Sequence, residues 1–292
     1  MSSPPMNTDG LRIARLRRAG GQSLCHSERA CSAPRRITSL SGGSMNPCER
    51  AEFRKKLESD LKTAGDEVIR LFAQRRVFEG LAKVFQESPA VNVEWTQLHT
   101  FLFAGYVAQA CLRLRRLMDH DRRNDPVSLA SIVWRVCKHP DILTRAEYVS
   151  RFTSGLKVRG ARCQVPQVAG LALQAVSEHM ECEANELFDR FTGPGQPCLD
   201  PARLCKACLP ARWNCAKVLA YVDKRLAHYD RKRPEDPTWG ELDEAIDAAG
   251  DLYCDLSVLI VGSAPKRDEL AGTWQGAAWE PLLEVPWVTR VE

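Results

Sequence analysis

Over residues 46–88 the chain sets Phe53, Leu57, Leu61, Val68, Leu71 and Phe72 at three- and four-residue steps among charged side chains. That period belongs to a helix and not to a strand, whose faces alternate every second residue. The pattern recurs along the chain. Residues 93–120 carry Trp95, Leu98, Phe101, Leu102, Val107, Cys111, Leu114 and Leu117, which cover more than one face and predict a central helix packed on several sides, in a hairpin with the first. Asn124-Asp125-Pro126 marks a turn, and Ser128 caps a helix through residue 136. A charged loop is expected over 145–162 and a helix over 167–191, with Leu171, Leu173, Val176 and Leu187 among its apolar residues. A Gly-, Pro- and Cys-rich loop over 193–210 then leads into a helix over 211–230. The last helix, 239–261, presents Leu242, Ile246, Leu252, Leu256 and Leu259 as its core stripe. With no internal repeat and no strand-rich stretch, the expected architecture is an all-α bundle.

The two ends of the chain break this pattern. Residues 1–44 combine Ser, Gly, Pro and Arg with little apolar period, and are expected to be disordered. Met45 is taken as the true start, and the leader as a misassigned or dispensable extension. Residues 264–292 hold Trp274, Trp279 and Trp287 with Pro281 and Pro286 between them, an irregular tail expected to lie over the bundle of residues 45–292. The leader also distorts the charge: it has seven Arg against Asp9 and Glu28, so the +4 of the full chain leaves −1 for the remainder. Net charge therefore predicts no basic nucleic-acid footprint on the folded part, and any RNA contact must come from local clusters. The longest uncharged apolar-rich run, 101–112, is far short of the roughly 20 residues that span a bilayer, so no membrane partner is expected. Twelve cysteines, several of them on amphipathic helical patterns, occur without a signal-peptide core. Cys111, Cys137, Cys182 and Cys254 read as small apolar residues of a cytoplasmic, reducing environment.

The stretch VDKRLAHYDRK, residues 222–232, concentrates a histidine and charges on a helix-like segment. Lys224 and Arg225 lie three and four residues before His228 and so share its face in an α-helix, while Asp223 points partly away. Cationic neighbours keep an imidazole neutral near pH 7 and free to accept a proton. Upstream, RRLMDHDRRNDPVSLASIV spans 115–133, with Arg116 and Asp119 three residues apart at the end of a helix.

The first stretch resembles the signature helix of the HEPN superfamily, and more narrowly the AbiU abortive-infection branch, whose variant ends in AH-x-D. The second resembles that branch's Arg-Leu-Asp helix end followed by a Ser-Leu helix start. The resemblance implies a HEPN-like helical bundle acting as a homodimer in bacterial antiphage or toxin-antitoxin defence. It also implies RNA as ligand, an antitoxin or defence-system protein as partner, and metal-independent RNA cleavage. On that reading His228, Arg225, Lys224 and Asp223 form the catalytic set. Arg225 and Arg231 bind RNA, and Arg116 and Asp119 support the His228 helix across the bundle. The chain departs from the superfamily pattern where its catalytic Arg belongs, since Tyr221, Val222 and Asp223 occupy those positions. A non-catalytic interaction module, antitoxin-like or scaffold, is the alternative.

No cofactor is expected. Cys198, Cys205, Cys208 and Cys215 include one C-x-x-C step, which makes them weak zinc candidates because a second such pair is missing. The chain has no phosphate-binding glycine loop, dinucleotide fingerprint or H-E-x-x-H helix.

Overall fold

The computed structural model describes residues 45–87, 93–120, 126–162, 168–226, 236–263 and 265–270, without the side chains of 84–87, 93–96, 98–99, 154–162 and 168–174. The leader, most of the Trp/Pro-rich tail, His228 and Arg231 lie outside the described residues. What is described is all-α: α1 (Pro47–Glu87), α2 (Val93–Leu117), α3 (Leu129–Lys138), α4 (Arg145–Arg162), α5 (Val168–Thr192), α6 (Pro201–Tyr221) and α7 (Trp239–Val261), with a π-turn at Val222–Leu226 and short 3-10 turns at Pro140–Ile142 and Arg267–Glu269.

Local chemistry sets these boundaries. Asn46 and Glu49 exchange side-chain and backbone hydrogen bonds at 2.9 Å, which starts α1. Ser128 accepts from the backbone N–H of Ser131 at 3.0 Å to open α3, as its position predicts. Thr238 and Glu241 form the same reciprocal box at α7, and Gly262 closes that helix in the left-handed region at φ 84°.

The core runs along the expected stripes. Leu57, Leu61, Val68, Leu71 and Phe72 of α1 are buried, as are all five apolar positions expected of α7. The central helix, however, is α7 and not α2. Leu242, Ala245, Ile246, Ala249, Leu252, Leu256 and Leu259 of α7 are all buried, and it packs against α1, α2, α3, α5 and α6. On α2, Phe101 is 73% exposed and Leu102 lies at the surface, while Cys111, Leu114 and Leu117 are buried. The apolar breadth of α2 is thus partly a surface property.

Two expected loops are helical. Residues 145–162 form α4, because Thr144 and Glu147 cap it reciprocally and Tyr148 is buried against Phe188 of α5, ring centroids 5.2 Å apart. The loop after α5 stops at Asp200, whose carboxylate accepts from the Ala202 N–H at 2.9 Å. Pro201 then takes the first helical position, where a missing N–H costs nothing, and α6 continues through Pro210. Arg145 fixes the intervening turn by donating to Asp189, to the Asn185 side chain at 3.0 Å and to the carbonyls of Gly193 and Gln196.

Candidate functional site

The motif segment hangs on α6. That helix buries Leu204, Cys208, Ala211, Cys215, Val218 and Tyr221, a run of three- and four-residue steps that turns one face onto its neighbours α2, α3 and α7. After Tyr221 the hydrogen bonding widens to the π-turn Val222–Leu226. Val222 remains buried, and Asp223, Lys224, Arg225 and Leu226 are exposed.

The turn bonds to the fifth residue and not the fourth, so Lys224 and Arg225 do not continue the α-helical phase of α6. His228 lies outside the described residues. Arg225 turns back. Its guanidinium lies 5.6 Å from the Tyr221 ring centroid and pairs with Asp236 on the approach to α7. Burial pushes the Tyr221 phenol up, with the Arg225 charge opposing it.

Asp223, expected to face partly away, is the residue that α2 holds. Arg115 donates from Nε to its carboxylate at 2.9 Å and pairs through Nη1 with Asp119 at 3.1 Å. These partners, the Asp223 hydrogen bond foremost, push the Arg115 guanidinium further up. The crossing contact thus comes from Arg115 and not from Arg116, which is exposed, and Asp119 pairs with Arg115 instead of forming the expected pair with Arg116. Asp119 has a second role through its backbone: its carbonyl accepts the Ser128 hydroxyl at 2.5 Å, joining the end of α2 to the start of α3. The described parts of the two stretches, 115–120 with 126–133 and 222–226, therefore meet through Arg115.

Sequence reasoning missed Arg115. The signal was present, since Arg115 and Asp119 are four residues apart and stack on an α-helix as well as the three-residue pair does.

The chain matches no family model, no curated protein and no solved structure.

The four zinc candidates do not converge. Cys215 is buried in α6 and directs its thiol to the Ala245 carbonyl at 3.7 Å. Cys208 is buried one turn from Cys205, and Cys205 faces Cys137 of α3. Burial pushes the Cys208 and Cys215 thiols up to about 12. Among the described residues no group of three or more His, Cys, Asp or Glu side chains is placed to hold a metal ion. A cleft of about 510 Å³ opens at the turn before α6, lined by Gly193, Gln196, Pro197, Asp200 and Arg203. Its walls come from the end of α5, the turn with Cys198, and the first residues of α6, and include none of residues 222–232. No described helix is long and apolar enough to cross a membrane.

Proposed function

We propose that this protein binds RNA at the end of the bundle where the π-turn meets α2, and cuts it without metal, as a HEPN-like protein of the AbiU type in bacterial defence. The observation that carries this reading is the Arg115–Asp223 ion pair at 2.9 Å, which joins the two stretches on which the resemblance rests. His228 serves as the proton acceptor for a ribose hydroxyl. The exposed Lys224 and Arg116 supply charge to the phosphate, Lys224 as a point charge without the fork of a guanidinium. A second protomer completes the groove.

The competing reading is an antitoxin-like or scaffold module, and a specific observation favours it. Arg225 is engaged by Asp236, and Arg115 by Asp119 and Asp223, so carboxylates already neutralise both guanidiniums beside the motif.

Inducing residues 45–292 and following total RNA integrity tests the proposal. Wild type is expected to yield discrete RNA fragments. The His228→Ala protein should retain RNA binding in a filter assay and lose cleavage, with stability within about 1 kcal/mol of wild type. A folded wild-type protein that neither retains nor cuts RNA would sink the nuclease reading in favour of the interaction module.

A further inference from the structure

Two helices bring a pair of sulfurs together that sequence spacing does not reveal. The Sγ atoms of Cys137 and Cys205 lie 3.4 Å apart although 68 residues separate them in the chain. Cys137 is half-buried in the last turn of α3, Cys205 is exposed in the second turn of α6, and both are free thiols. A disulfide needs the sulfurs to close to about 2.04 Å, which is a small displacement for side chains on packed helices.

The two sulfurs are not equivalent. The Cys137 thiol has the Pro201 carbonyl oxygen as an acceptor at 3.7 Å and sits at the carbonyl-rich end of α3, where negative charge is disfavoured. Its hydrogen bond with Cys205, together with burial, pushes it up. Cys205 is lowered by its contact with Cys137 and by the Arg212 charge, against partial burial and Asp200. Cys208, the other thiol on this stretch of α6, is buried and pushed up to about 12. Exposure and the Arg212 charge therefore favour ionisation at Cys205, and burial with the Pro201 carbonyl as acceptor favours the proton on Cys137.

We propose that Cys137 and Cys205 form a peroxide-sensitive dithiol, in which Cys205 is the attacking sulfur and Cys137 the resolving one, and whose oxidation ties α3 to α6. The Cys205 thiolate attacks hydrogen peroxide. An S–O bond forms, the O–O bond breaks and hydroxide leaves, so the sulfur is oxidised by two electrons to a sulfenic acid and the peroxide is reduced. The Cys137 sulfur then attacks the Cys205 sulfur. The S–S bond forms as the S–O bond breaks, and the departing hydroxide takes the Cys137 proton to leave as water. A small dithiol reverses the reaction by exchange and is itself oxidised to its disulfide. None of this depends on what the protein binds.

The test is peptide mapping of the full chain after treatment with stoichiometric hydrogen peroxide and alkylation of the remaining thiols. Wild type is expected to give a peptide pair linked through Cys137 and Cys205 that dithiothreitol separates. Cys205→Ser should give no such link. Cys137→Ser should leave a sulfenic acid on Cys205 that dimedone traps. In the untreated protein, the pH profile for alkylation of Cys205 should have its midpoint below the ordinary thiol value of about 8.5. Folded wild-type protein that forms no Cys137–Cys205 link, or that links Cys205 to Cys208 instead, overturns the proposal. A Cys205 midpoint at or above the ordinary value reverses the assignment of attacking sulfur.

Discussion

Arg135 of α3 is 6% exposed and donates from Nη1 to Asp60 of α1 at 2.6 Å, while its Nε and Nη2 find no acceptor among the described residues. A buried charge held by one partner makes the two single substitutions unequal. Asp60→Ala strands the guanidinium and is expected to cost about 3 kcal/mol or more, whereas Arg135→Met removes the charge with the need for a partner and should cost much less. Urea denaturation of the two variants checks this, and equal losses would show that Arg135 reaches water when Asp60 is gone. The motif residues teach the opposite lesson about what a sequence can reveal. That charged side chains cluster at 222–232 is plain from composition. Which of the adjacent Arg115 and Arg116 crosses to Asp223 depends on how α2 is rotated against α6, and neighbouring helical positions differ by about 100°. Only packing decides that rotation. The Cys137–Cys205 contact was illegible for a related reason: Cys137 reads as a small apolar residue of its helix and Cys205 falls in an expected loop, and their proximity follows from α3 lying on α6.

The pairing of α1 with α7 rests on two reciprocal gaps. A methyl group added at Gly250 of α7 would come within 2.6 Å of the Phe72 ring of α1, and one at Gly65 of α1 within 2.6 Å of the Tyr253 ring of α7. Each helix thus seats an aromatic ring where the other has no side chain. Phe72 is 4% exposed and enclosed, so Gly250→Ala is expected to destabilise by about 1 kcal/mol, because overpacking at roughly 1–3 kcal/mol outweighs the ~1 kcal/mol gain in helix propensity. Tyr253 is only partly buried and can swing outward, so Gly65→Ala should cost less. Urea midpoints for the two variants measure the difference, and a Gly250→Ala protein as stable as wild type would mean that Phe72 yields. Helices whose ends carry explicit signals were readable. Thr238, Glu241 and Gly262 bracket α7, and its expected limits are those observed. The α4 helix escaped because its charged side chains mask its apolar period, although Thr144-x-x-Glu147 announces its start as Thr238-x-x-Glu241 announces that of α7. At α6 the expected loop is too long because it rests on the Gly, Pro and Cys content of 193–210, which counts Pro201 and Pro210 without regard to position. The first sits where a helix tolerates proline, and the second is accommodated inside.

The bundle as a whole closes its ends on each other. Helix α7 fills the centre, and α1, the first described helix, packs along it, joined by Arg75 and Asp247 at 2.8 Å across 172 residues of chain. A chain ending at residue 236 therefore keeps α1 to α6 but loses the element they are built around. It is expected to lack a cooperative thermal transition and to bind a hydrophobic dye, as collapsed chains without fixed packing do. Circular dichroism melts compared with the full chain decide the matter, and a cooperative melt from the shortened chain would place the core elsewhere. The length of α1, 41 residues or about 60 Å at ~1.5 Å per residue, also has a consequence for how the molecule is made. During translation the apolar stripe of α1 leaves the ribosome long before its partner on α7, and at about 5–20 residues per second the delay is roughly 10–40 s. For that interval α2 and α3 are the covers available to the α1 stripe, and the part of it that faces α7 stays open to holdase chaperones.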